Sequence, residues 1–130
     1  MADVLVDTSV WIDYFRYSSG SLGDLVARLL GENRIVLCGV VEMELLQGVR
    51  PHERAQLQDV LQALPYVETE REDFIAAGNR MAQLRSRGIT IPVTDCLIGV
   101  LCARHKLRLL TTDGHFNHFS ELSRLDPTIQ

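Results

Sequence analysis

Three short strand-like stretches, the apolar Val4-Leu5-Val6 and Ile35-Val36-Leu37 and the mostly apolar Leu107 to Leu110, are separated by long segments with helical spacing. That alternation constrains the fold more than any other feature of the chain. Runs of three or four apolar residues are too short for helices and read as strands. Strands alternating with helices predict an α/β fold with a central, mainly parallel sheet flanked by helices. The first helix is expected from about Val10 to Tyr17. Ser21 is placed to cap a second, Leu22 to Leu30, which Gly31 closes. Val40 to Val49 carries Val41, Leu45 and Val49 at the spacing of a buried face. Pro51 suits the first turn of a helix with Leu57, Val60, Leu61 and Leu64 on its apolar side. Pro65 ends it ahead of a short edge strand, Tyr66-Val67. A helix from Asp73 to Arg87 is expected to bury Phe74, Ala77, Met81 and Leu84, with Gly88 as its stop. Thr94 is placed to cap a helix from Asp95 to His105, and Leu122 to Leu125 reads as a last short strand.

The length, 130 residues, suits one domain spanning 1–130. A hydrophobic fraction of 46% is ordinary for a chain with a proper core. No apolar run approaches the ~20 residues that cross a bilayer. The start lacks the basic region and long apolar stretch of a signal peptide, so a cytoplasmic protein with no membrane partner is expected. Cys38, Cys96 and Cys102 show no paired spacing and read as small buried residues. The net charge of −4 argues at first against a nucleic-acid partner. It loses that force if several carboxylates are gathered in one metal site.

Asp7 falls just after the first strand and Asp113 just after the last clear one. In open parallel sheets the ligand crevice lies outside the carboxyl ends of the strands. Asp95 opens a helix, and a glutamate lies on the helix after the second strand. Such a gathering of hard oxygen donors suits Mg²⁺, or Mn²⁺ in its place, better than zinc. Each residue also has a plainer reading: Asp95 as a first-turn helix aspartate, Asp113 as a turn residue before Gly114, Asp7 as a cap. Glu42 and Glu44 compete for the helical position. Two residues on a helix are about 200° apart, so only one can face the site, and periodicity does not choose.

The chain resembles the PIN domains, and within them the VapC toxins of bacterial type II toxin–antitoxin pairs. The resemblance covers nearly the whole sequence. It runs through Val4-Leu5-Val6-Asp7-Thr8-Ser9-Val10-Trp11-Ile12-Asp13, then Val41-Glu42-Met43-Glu44-Leu45-Leu46-Gln47-Gly48. It continues through Arg87-Gly88, Pro92 and Asp95-Cys96-Leu97-Ile98-Gly99. It closes on Leu109-Leu110-Thr111-Thr112-Asp113-Gly114-His115-Phe116. His115 stands where some members carry a further aspartate, and Gly99 where alanine is more usual. The resemblance selects Glu44 over Glu42 and implies a three-layer α/β/α domain. It implies endonucleolytic RNA cleavage with Asp7, Glu44, Asp95 and Asp113 as catalytic and metal-binding residues. Thr8, Ser9, Thr111 and His115 are candidate supporting residues, the hydroxyls having helix capping as their plainer role.

The resemblance also implies a homodimer, a VapB-type antitoxin and a toxin–antitoxin hetero-oligomer. Trp11, Tyr14, Phe15 and Tyr17 crowd into the first helix. They are either core residues or, with the following helix, part of a groove for the antitoxin. Asp113, His115 and His118 lack strong zinc spacing, and His52 and His105 fall on other elements. An aspartyl-phosphorylation fold wants a well-placed lysine, whereas Lys106, the one lysine, lies between a helix end and a strand start. A catalytically silent PIN-like binding module would normally have lost one of the four acids.

Overall fold

The computed structural model describes residues 3–16 and 20–127. Val4–Val6 forms strand β1, Ile35–Cys38 forms β2, Tyr66–Val67 forms β3 and Arg108–Leu110 forms β4. All pairings are parallel, in the order β3-β2-β1-β4. Leu5 sits opposite Val36 on one side and Leu109 on the other. Every residue of β1 and β2 is buried, the mark of strands covered on both faces. The last strand expected, Leu122 to Leu125, is reduced to a single parallel bridge between Leu109 and Arg124.

Among the described residues six α-helices connect the strands: α1 (Thr8–Arg16), α2 (Ser21–Gly31), α3 (Gly39–Gly48), α4 (Arg54–Gln62), α5 (Arg71–Ser86) and α6 (Val93–His105). The chain steps outward from β1 to β2 to β3, then returns past β1 to β4. With right-handed crossovers, the outward and return connections cover opposite faces of the sheet. The direction of travel reverses at β1, so the gap between β1 and β4 is the switch point where such folds place their ligands.

Several helix ends differ from expectation. Ser21 and Gly31 are the first and last residues of α2 rather than its flanking caps; Gly20 is the N-cap, and Asn33 takes the left-handed φ of 55°. Pro51 opens a 3₁₀ turn, Pro51–Glu53, ahead of α4. Thr94 lies inside α6, whose N-cap is Pro92. Gly88 does follow α5, with φ of 75°.

Phe74 is not in the core. It is 55% exposed, and α5 instead turns Asp73, Ala77 and Leu84 inward. The reason is polar. Asp73 Oδ2 accepts the Glu70 backbone N–H at 2.8 Å, completing a capping box. Its Oδ1 accepts Arg104 Nε at 2.8 Å, and His105 Nε2 lies 3.1 Å from Oδ2. This clasp ties the start of α5 to the end of α6 and fixes the rotation of α5, which leaves Phe74 about 100° from the buried side.

α6 is buried from Asp95 through Cys102. At Gly99 a Cβ would come within 2.9 Å of the Phe119 ring, and Phe119 is itself buried. The glycine there is a packing requirement of this chain.

Candidate active site

Asp7 follows β1 directly and its N–H still pairs with Leu110 O of β4 at 2.9 Å. Its carboxylate is buried at 3% exposure. Oδ2 accepts Ser9 Oγ at 2.8 Å and Thr111 Oγ1 at 2.8 Å. Thr111, just past β4, also accepts the Asp113 backbone N–H at 3.0 Å. One buried hydroxyl therefore locks the Asp7 carboxylate to the loop that carries Asp113. Thr8 Oγ1 donates to Glu44 Oε1 at 2.7 Å, which brings α3 to the start of α1.

Glu42 points elsewhere: its charge acts on the Tyr66 hydroxyl of β3, whose pKa is raised by burial first and then by Glu42. Packing thus turns Glu44, not Glu42, toward the carboxyl end of β1.

Asp95, in the first turn of α6, meets the β4 loop. Its Oδ2 lies 3.0 Å from His115 Nδ1, and the same nitrogen is 2.9 Å from Asp113 Oδ1. Donor atoms of Asp95, Asp113 and His115 all fall within 4.8 Å of one another. Asp113 accepts the His115 backbone N–H at 2.9 Å as N-cap of the 3₁₀ turn Gly114–His118. Its turn role and its place in the cluster are held at once. His118, at the end of that turn, is exposed; Asp95 rather than His118 completes the group with Asp113 and His115.

The electrostatics are those of crowded acids. Asp95 is pushed up to about 6 by burial, and further by Asp113 and Asp7. Burial pulls Asp113 upward too, but the hydrogen bonds from His115 outweigh it and hold the carboxyl low. His115 is raised, chiefly by its hydrogen bond to Asp113. A buried carboxylate crowded by two more carboxylates, with only a half-exposed histidine beside it, is a site that a divalent cation stabilises.

A profile of the PIN domain matches residues 4–122. The chain belongs to the PIN-domain family. It is 32% identical over 127 residues to ribonuclease VapC11 of Mycobacterium tuberculosis, covering 94% of this chain and 95% of that protein. The fold is shared with DNA-bound VapBC of Salmonella typhimurium, at 19% identity and a TM-score of 0.82 over 98% of this chain and 99% of the other. VapBC-1 of nontypeable Haemophilus influenzae is similar, at 18% identity and a TM-score of 0.79 over 97% and 98% of the two chains. No helix among the described residues is long and apolar enough to cross a membrane.

The aromatic helix divides differently from the sequence expectation. Trp11 has no exposure and stacks on Phe15 with ring centroids 5.8 Å apart, so it is core and offers no surface to a partner. Tyr14 is half-buried, edge-on to Trp11 at 6.0 Å. Tyr17 lies outside the described residues. Phe15 does line a groove, of about 620 Å³, that begins at Glu44 and runs past Ile12, Leu45 and Val49 to Arg50 and His52. Its other walls are α3 and the start of α4, not α2 as the order of helices suggests. Ile12, 40% exposed, lines the groove beside its aromatic neighbours. Its i, i+4 relation to Arg16, another lining residue, is the signal that points to it.

Proposed function

We propose that this PIN-domain protein is a metal-dependent endoribonuclease, and that it acts in the cytoplasm as the toxin of a toxin–antitoxin pair. The observation that carries the reading is the meeting of Asp95 and Asp113 with His115 beyond the end of β4, with Asp7 joined to the Asp113 loop through Thr111 and Glu44 tied in through Thr8. Relatives 32% identical over 94% of the chain that bear the name ribonuclease support the activity.

Asp7, Glu44, Asp95 and Asp113 would hold Mg²⁺. Bound there, the ion would supply a lowered pKa for an attacking water and charge neutralisation at the scissile phosphate. The chain's own residues do the positioning. Thr111 fixes the Asp7 carboxylate relative to the Asp113 loop, Ser9 occupies the same Asp7 oxygen, and Thr8 orients Glu44. His115 supports Asp95 and Asp113 from the open side. Purified protein incubated with total RNA tests this: cleavage with Mg²⁺, none with a chelator, and none from Asp95→Asn is the expected pattern. Intact RNA under every divalent condition overturns it.

The VapBC structures that share the fold favour a VapB-type antitoxin as partner. The groove from Glu44 along Phe15 and Ile12 is where its apolar segment would lie, close enough to cover the site. Phe15→Glu is expected to weaken antitoxin binding at least tenfold, the scale of an interface anchor, with RNA cleavage retained. A homodimer is part of the same reading, and a monomeric mass at micromolar concentration would count against it.

A further inference from the structure

We infer that the Asp95–Asp113–His115 corner is a mixed oxygen–nitrogen cation site that selects Mn²⁺ over Mg²⁺. The inference rests on the metal-dependent reading above and adds which ion this chain's own donors prefer. His115 Nδ1 lies 3.0 Å from Asp95 Oδ2 and 2.9 Å from Asp113 Oδ1. Neighbouring donors on an octahedral ion, each about 2.1 Å from it, stand about 3 Å apart. The spacing that serves these hydrogen bonds serves a shared six-coordinate ion equally well. Tetrahedral zinc wants its donors wider, at about 3.4 Å.

The imidazole is held in that place by more than its ring contacts. The His115 N–H is bonded to Asp113 Oδ1, and the next residue, Phe116, is buried without exposure. Asp95 is fixed on a different element, the buried helix α6. The His115 side chain is 46% exposed, which leaves the corner open to water and to ion exchange.

The donor type then decides selectivity. Mg²⁺ takes oxygen ligands and releases its water reluctantly. Imidazole nitrogen suits first-row transition ions. A carboxylate at position 115 would add negative charge and favour Mg²⁺. The imidazole withholds that charge and offers nitrogen instead, so Mg²⁺ loses more than Mn²⁺.

The test is a binding titration of the full chain without RNA, following the free Mn²⁺ signal by electron paramagnetic resonance, with Mg²⁺ as competitor. Wild type, His115→Gln and His115→Asp are compared, and His115 is exposed enough that both variants keep the fold. Expected is an Mn²⁺-over-Mg²⁺ affinity ratio that falls at least about tenfold in His115→Gln. His115→Asp should regain Mg²⁺ affinity, and nitrogen coupling to bound Mn²⁺ should be present in wild type alone. An unchanged ratio without nitrogen coupling overturns the inference. Mg²⁺-dependent RNA cleavage in that case leaves the nuclease reading standing. Absence of divalent binding in every form overturns both.

Discussion

Asp73 and Asp95 are two buried aspartates near opposite ends of one helix pair, and they live in opposite electrostatic worlds. Asp73 receives a backbone N–H, an arginine and a histidine. Burial pulls it upward, but the Glu70 N–H, His105 and Arg104 together hold its carboxyl below the usual range. Asp95 is pushed up to about 6 by burial and by the carboxylates of Asp113 and Asp7. One acid is satisfied by the chain itself. The other has one half-exposed histidine against two acids, and stays raised in spite of it. An acid held by donors is built into the fold, whereas one crowded by other acids is the candidate for function.

The sharpest break of this comparison is in activity. Asp95→Asn is expected to lower RNA cleavage by roughly a hundredfold or more, the scale of losing one electrostatic transition-state contact. Asp73→Ala is expected to leave the cleavage rate of the folded protein largely intact. Equal loss in both variants would mean that the clasp is part of the active centre.

Stability should reverse the ranking. Asp73→Ala removes a capping box and two charged hydrogen bonds, a loss of about 2–3 kcal/mol measurable by urea denaturation. Asp95→Asn, freed from repulsion, should be no less stable than wild type without metal. A destabilised Asp95→Asn would show that its contact with His115 matters more than the crowding.

A pH series separates the two acids further. The folded-state pKa of Asp95 is raised, so its favourable contribution is full below about pH 4 and is lost as pH rises through about 6. His115, raised as well, moves the same way at higher pH. Asp73 is lowered, so its contribution is present above the ordinary carboxylate range and is lost only as pH falls through its depressed value. Metal-free protein should therefore lose on the order of 1 kcal/mol between pH 4 and 7, and Asp95→Asn should flatten that slope. A slope unchanged in that variant would place the titrating group elsewhere.

The smallest effect belongs to Arg104. Its side chain is 44% exposed, so solvent screens the ion pair, and Arg104→Ala should cost only about 0.5–1 kcal/mol. A larger loss would mean that Asp73 depends on the arginine more than on its backbone donor.

Much of this was legible in the sequence. Apolar runs with helical spacing between them specified β1, β2, β4 and the helices, because period and propensity are local properties. The placement of Asp7 and Asp113 just past strands was equally local. The Glu70-x-x-Asp73 capping box was there to be read as well, but the period of Phe74 and Met81 drew the helix face one residue too far. Local pattern could not say that a single carboxylate, gripped from α6, would set the rotation of α5. Nor could it tell Trp11, sealed in the core, from Ile12 on the groove.

By itself the sequence determined the parallel α/β class and the family motifs that named Asp7, Glu44, Asp95 and Asp113 together. The tertiary structure decided that β1 and β4 are neighbours, so that Thr111 bonds to Asp7 across 104 residues of chain. It also turned Glu44 inward and Glu42 toward Tyr66, and set His115 between Asp95 and Asp113. The reason is physical: spacing along the chain fixes the conformation of each segment, whereas the charge environment of a carboxylate depends on which distant segments pack against it.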